Sequence, residues 1–133
     1  MNVFSEIVGQ KQAISALESG VRAASSKSDS QEMTHAWLFT GPPGSGRSNL
    51  AIAFAAALVC KNNGCNECTD CTTAKAGSHP DVEILKSEGV NIKIEEIREL
   101  VTRSAWGASI SPWRVVIIED SDRMTEAASN ALL

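Results

Sequence analysis

Apolar positions change period several times along the chain, and each change marks an element. Ile14, Leu17 and Val21 recur at helical spacing after Gly9-Gln10, with Ala13 and Ala24 on the same side, which predicts an amphipathic helix ending near Ala24. A polar, Ser-rich stretch, residues 25–32, follows and reads as an exposed loop within one domain. Ala36-Trp37-Leu38-Phe39-Thr40 is a short apolar run that stops at a glycine-rich turn, as a buried parallel strand does. Residues 49–59 are nearly all Ala, Leu, Ile and Phe, small enough to bring a buried helix close to its neighbours.

Farther on, Val82-Glu83-Ile84-Leu85 predicts a second strand, and Ile94, Ile97, Leu100 and Val101 predict a third helix. Glu95 with Arg98, and Glu99 with Arg103, are spaced for surface ion pairs on its solvated side. Arg114-Val115-Val116-Ile117-Ile118 predicts a third strand, ending in Glu119-Asp120-Ser121-Asp122. Strands alternating with helices imply an α/β fold with a mainly parallel sheet.

Composition narrows the function more than the fold. At 133 residues, 43% hydrophobic and 21% charged, the chain has room for one ordinary globular core. A net charge of -4 argues against autonomous DNA binding, which needs clustered Lys and Arg to neutralise phosphates, and so against a free-standing nucleic-acid-binding zinc ribbon. No signal-peptide pattern and no span of membrane length is seen, so a cytoplasmic location is expected and no membrane partner.

Two motifs carry chemistry. Gly41-Pro42-Pro43-Gly44-Ser45-Gly46-Arg47-Ser48 fits G-x-x-x-x-G-[K or R]-S between a predicted strand and a predicted helix, the context a phosphate-binding loop requires. Glycines let backbone N–H groups converge on phosphate oxygens, the helix N-terminus adds positive potential, and the Ser48 hydroxyl can ligate Mg²⁺. Arg47 stands where lysine is usual; it keeps the charge on a bulkier planar fork. The competing reading is a Gly/Pro-rich turn with no ligand. Glu119 and Asp120 end the third strand, where an acidic pair can hold a metal's water shell and polarise an attacking water, or can simply solubilise a turn.

The second motif is Cys60, Cys65, Cys68 and Cys71, spaced C-x4-C-x2-C-x2-C around Asn63-Gly64. Four clustered thiols match a closed structural zinc site; an iron–sulfur cluster is the alternative ligand class. His35 and His79 are not expected among the ligands, because four thiolates already fill the site.

These residues resemble a known family. Phe4-Ser5-Glu6-Ile7-Val8-Gly9-Gln10 looks like the opening segment of AAA+ clamp-loader proteins, residues 41–48 like their P-loop, and Ser78-His79-Pro80-Asp81-Val82 like the lead-in to their second strand. The zinc insert directly after the P-loop helix is similar to that of the bacterial DNA polymerase III clamp-loader subunits, although its first two cysteines are closer together here. The resemblance continues through Ile94 to Val101 and on to the closing Ser129-Asn130-Ala131-Leu132-Leu133. It implies a RecA-like three-layer sandwich, with residues 1–133 forming part of an AAA+ P-loop domain and a zinc insert at about 60–71. The sequence stops in the helix before the central sensor strand, so the chain reads as an N-terminal fragment of that domain.

The resemblance also implies ATP with Mg²⁺ as the ligand of Val8, Gly41, Gly44, Ser45, Gly46, Arg47, Ser48 and Glu119, with Asp120 as the catalytic carboxylate. Arg47 and the reversed Glu119-Asp120 order favour the delta prime type, a stator whose own ATP turnover has relaxed; the alternative is an active ATPase of the gamma/tau type. The implied partners are gamma/tau and delta subunits in a hetero-pentamer, with the sliding clamp and primed DNA reached through that complex. A small-molecule phosphotransferase would use the same loop, but the zinc insert and the opening segment argue against it.

Overall fold

The computed structural model describes residues 2–26, 36–42, 44–86, 89–107, 109–111 and 113–132. It divides into two compact units, residues 1–79 and 80–133. In the first, α1 (Lys11–Ser26) packs against α2 (Arg47–Val59), which also carries α3 (Thr69–Ala76). Helix α1 begins where the apolar spacing predicts and buries Leu17, Val21 and Ala23. Helix α2 is buried without a break from Ala53 to Val59, because its alanines let both neighbouring helices approach its backbone. Helix α3, which lies within and after the cysteine cluster, has too little apolar spacing to be read from sequence.

The segment expected as the first strand is corrected. Residues 36–40 are described without a strand ladder. They keep the alternation of one: Trp37 and Phe39 are half-buried, while Ala36, Leu38 and Thr40 face solvent. Trp37 meets Phe54 of α2 edge-to-face at 5.1 Å, and Phe39 meets the same ring at 6.4 Å. The aromatic contacts seat the segment on α2, and no strand is found beside it among the described residues of this unit. A strand is a property of a pair, and here the pattern exists without the partner.

The second unit holds a two-stranded parallel sheet of β1 (Val82–Leu85) and β2 (Val115–Ile118), in register from Val82 opposite Val115 to Leu85 opposite Ile118. Both strands fall where the sequence places them. The crossover is α4 (Ile94–Ser104), and β2 is followed by a 3₁₀ turn (Ser121–Arg123) and α5 (Glu126–Leu132). Ile92, Ile97, Leu100 and Ala128 form the core, with Leu85, Val116 and Ile118 from the sheet packed on it. The Ile92 N–H donates to Arg123 O at 2.9 Å, and Thr125 N–H to Ile92 O at 3.1 Å, so a single parallel bridge ties the start of α4 to the turn before α5.

Charged groups do work here that hydrophobic periodicity does not reveal. Arg103 lies at 3.8 Å from Glu99 as its spacing suggests, but its Nε donates to Glu83 Oε1 of β1 at 2.7 Å. The other Glu83 oxygen accepts from Arg114 Nη2 at 2.9 Å, so one carboxylate of β1 joins α4 to the residue that leads into β2. Asp81 is fully buried and accepts N–H groups from Ser109, Ile110 and Ser111, which fixes the loop leading into β2. Burial alone would push its carboxyl up, but those three amides and the Ser111 hydroxyl outweigh it and hold Asp81 well below the usual carboxylate range. No helix among the described residues is long and apolar enough to cross a membrane.

Asp81→Asn therefore loses about 2 kcal/mol of stability at neutral pH, read by urea unfolding, because an amide NH₂ faces backbone donors that have lost an acceptor. The pH dependence has a fixed sign. A depressed carboxyl stabilises the fold above the unfolded-state value of 3.8 and loses that contribution as pH falls below it, so the gap between the two proteins narrows on acidification.

Candidate phosphate loop and metal centre

The phosphate loop and the cysteine cluster occupy opposite ends of α2. At the N-terminal end, Gly44 (φ 81°) and Gly46 (φ 87°) take left-handed backbone that a side chain would strain. Gly46 is the N-cap, and no side chain caps the helix in its place. Ser45 N–H donates to Pro42 O at 3.1 Å, closing the turn, and Gly41 lies so near Ser45 that an added Cβ would meet its Oγ at 2.8 Å. The backbone thus has the glycine-dependent form of an anion-binding turn at a helix N-terminus. Ser48 is exposed in the first turn of α2.

Arg47 Nη1 donates to Gly41 O at 2.6 Å, across the loop's own mouth. The loop borders a cavity of about 370 Å³ in the first unit, whose walls include Gln10, Leu17, Trp37, Phe39, Gly41 and Arg47. That volume lies within the range of small-ligand sites. Gln10 reaches the loop through Nε2, 3.5 Å from Ser45 O, and was not singled out from sequence as a contact because a lone amide carries no motif. Val8, expected among the nucleotide contacts, is 89% exposed.

Glu119 and Asp120 belong to the second unit and take unlike positions there. Glu119 continues the ladder of β2, its N–H donating to Leu85 O at 3.0 Å, and its mostly buried carboxylate lies 3.6 Å from Lys86 Nζ. Asp120 turns out of the strand with left-handed backbone (φ 53°), caps the 3₁₀ turn, and leaves its carboxylate half-exposed, 4.0 Å from Arg123. Of the two, only Glu119 is held by the strand.

At the other end of α2, Cys60 is the C-cap residue and Cys68 the N-cap of α3, so two helix ends aim thiols at one point. All four sulfurs lie within 4.8 Å of one another, with Cys60 Sγ at 3.7 Å from Cys65 Sγ and 3.6 Å from Cys68 Sγ. A tetrahedron of thiolates about 2.3 Å from a zinc ion has edges of about 3.8 Å, so this donor set fits the ion. The chain turns between the ligands through left-handed Asn63, Gly64 and Asn66. Gly64 accepts Val3 N–H at 2.9 Å and has no room for a Cβ, which would meet Val3 Cγ2 at 2.8 Å.

Backbone amides point at the sulfurs. Cys60 Sγ accepts from Asn62 N–H at 3.3 Å and Cys65 N–H at 3.5 Å, Cys65 Sγ from Cys68 N–H at 3.4 Å, and Cys68 Sγ from Cys71 N–H at 3.4 Å. Burial pushes the Cys60 thiol up, but the amides of Cys65, Asn62 and Gly64 outweigh it and bring it down to about 6. Cys71 moves the opposite way: burial raises it, and the neighbouring Cys60 and Cys68 add to the rise despite the Asn66 amide. The Cys71 amide pulls Cys68 down, but burial and the Cys65 and Cys60 thiols push it above its ordinary value. Burial and the crowding of neighbouring sulfurs thus work against ionising all four thiols without a cation. His79 is not among the ligands; its buried ring bonds Asp70. His35 lies outside the described residues.

Known proteins are similar to the chain in sequence. The chain is 36% identical over 105 residues to the DNA polymerase III subunit delta' of Pseudomonas aeruginosa, covering 74% of the chain and 32% of that protein. It is 31% identical over 108 residues to the delta' subunit of Bacillus subtilis, covering 79% and 33%. The DNA polymerase III subunit tau of Bacillus subtilis aligns over 98% of the chain at 30% identity, covering 22% of that protein. The chain therefore spans about a third of the length of the delta' relatives. The family described as DNA polymerase III, delta subunit, matches residues 10–133, a stretch that contains the phosphate loop, all four cysteines and both strands. The chain belongs to the DNA polymerase III delta subunit family.

Proposed function

We propose that this chain is the phosphate-loop part of a bacterial clamp-loader subunit of the delta prime type, an AAA+ module that acts in the cytoplasm with gamma/tau and delta subunits. In that role it helps place the sliding clamp on primed DNA as a stator, with little ATP turnover of its own. The observation that carries the reading is Arg47. Its guanidinium is directed at the Gly41 carbonyl, so the cation meant for a bound phosphate is engaged by the loop's own backbone. The backbone cradle of Gly44, Ser45 and Gly46 and the 370 Å³ cavity beside it leave room for a nucleotide, which fits weak binding better than none. Asp120, turned out of its strand, is poorly supported as a group that orients water.

A second reading, an active ATPase of the gamma/tau type, is favoured by the longer alignment with the tau relative. In that case Arg47 would swing from Gly41 to the phosphates and Ser48 would hold Mg²⁺.

The cysteines would hold a structural zinc ion through Cys60, Cys65, Cys68 and Cys71, whose chemistry is to neutralise four crowded thiolates and leave no open position for water. Around it, the chain's own amides disperse sulfur charge, and Cys60 and Cys68 fix the ends of α2 and α3.

Titration of ATP with Mg²⁺ into the full protein tests the first reading. We expect weak binding by the native protein and a gain of about tenfold, roughly 1.4 kcal/mol, in Arg47→Lys. Tight native binding, with turnover that falls in Asp120→Asn, would move the chain to the gamma/tau reading. Cobalt substitution tests the metal: a thiolate-to-metal charge-transfer band is expected, weakened in Cys60→Ser, which keeps three of the four thiolates. Because ligands must be deprotonated, affinity should fall as pH drops, already above neutral because the Cys68 and Cys71 thiols are raised, and more steeply below about 6, where Cys60 also gains its proton.

A further inference from the structure

Helix α3 carries two of the four thiols in its first turn and its cap, yet it is only eight residues long, too short to be stable by its own hydrogen bonds. Something must hold that first turn in place. At the far end, the helix closes with left-handed Gly77 (φ 79°); Gly77 N–H donates to Ala74 O at 3.1 Å and Ser78 N–H to Thr73 O at 2.9 Å. This closure reverses the chain, and His79 then runs back along the helix to its beginning. Its Nε2 lies 3.0 Å from Asp70 Oδ1, nine residues away, and its side chain is 0% exposed. A carboxylate only accepts, so Nε2 is the donor.

We propose that His79 is a positioning residue for the metal centre: through Asp70 it fixes the first turn of α3, and with it Cys68 and Cys71, at the distance the other two thiols require. The inference rests on reading the four cysteines as a metal site. Asp70 is the immediate neighbour of Cys71, whose N–H donates to Cys68 Sγ, so a rotation of this turn would carry both sulfurs out of the cluster. An imidazole buried this deeply would be unfavourable without its bond, and an apolar residue would fill the same space with no orientation. The bond therefore supplies direction. It differs from the usual outer-shell arrangement, in which a carboxylate steadies a ligating histidine: here a histidine steadies a carboxylate that stands next to a ligating cysteine.

The experiment measures zinc release from the full chain to a chromogenic chelator, for the native protein, His79→Leu, His79→Gln, Asp70→Ala and the His79→Leu/Asp70→Ala pair. His79→Leu and Asp70→Ala should each release zinc about tenfold faster, as losses of outer-shell support do. The pair should be no worse than the worse of the two alone, since both break the same His79–Asp70 bond. His79→Gln, which keeps an N–H donor near the Nε2 position, should stay close to the native rate. All variants retain four thiolates, so the cobalt charge-transfer band should keep its energy. Native release rates in His79→Leu and Asp70→Ala, or additive effects in the pair, would overturn the proposal. If His79→Leu fails to fold by circular dichroism, the contrast between Asp70→Ala and His79→Gln decides. A native protein that holds no zinc overturns the metal reading, and the positioning role falls with it, an outcome distinct from zinc-loaded variants that behave as native.

Discussion

Four sulfurs held within 4.8 Å set the terms for the first unit. Thiols at that separation cannot all ionise unaided, and the amides of Asn62, Gly64, Cys65, Asn66, Cys68 and Cys71 point inward to disperse the charge. To present those amides, the chain must turn tightly through left-handed Asn63, Gly64 and Asn66. The same turns bring Gly64 against Val3 and Asn66 against Lys75, whose ammonium also reaches Glu6. The opening segment, the cysteine turns and α3 are in this sense arranged around one electrostatic problem.

The elements legible in the sequence are those whose partners lie on the same short stretch or whose pattern is apolar. Helices α1, α2 and α4 and strands β1 and β2 were readable from spacing alone, because burial of Leu17, Ile97 or Val82 depends only on which face they occupy. The phosphate loop was readable because its glycines have a backbone reason to exist at Gly44 and Gly46. The cysteine cluster was readable from spacing, and the sulfur distances agree with it. Residues 36–40 show the limit of the method: their alternation is that of a strand, but a ladder needs a second strand that no local pattern can guarantee.

Buried polar anchors were the other blind spot. Asp81, His79 and Glu83 each act on groups distant in sequence: Asp81 on residues 109–111, His79 on Asp70, and Glu83 on Arg103 and Arg114. A charged or imidazole side chain beside a strand looks solvated until its partner is known, so periodicity assigns it to the surface. Arg103 shows this well: helical spacing offers it Glu99, while the fold gives it the closer Glu83. Satisfying such groups is a requirement of burial, and it fixes loop positions that apolar contacts leave loose.

Helix α2 has a consequence of a different kind. Ala55, Ala56 and Ala57 are at most 1% exposed, and α1 and α3 both pack on the helix that carries them. In a close-packed interior an added methylene forces side chains off their rotamers or shifts the backbone, at about 1–3 kcal/mol each. Loss of a methyl leaves glycine, which weakens a helix interior by about 1 kcal/mol. These positions can therefore drift in neither direction. Across natural variants, the stretch joining the phosphate loop to the first cysteine should be a zone of low mutational tolerance, kept by shape alone and carrying no catalytic group.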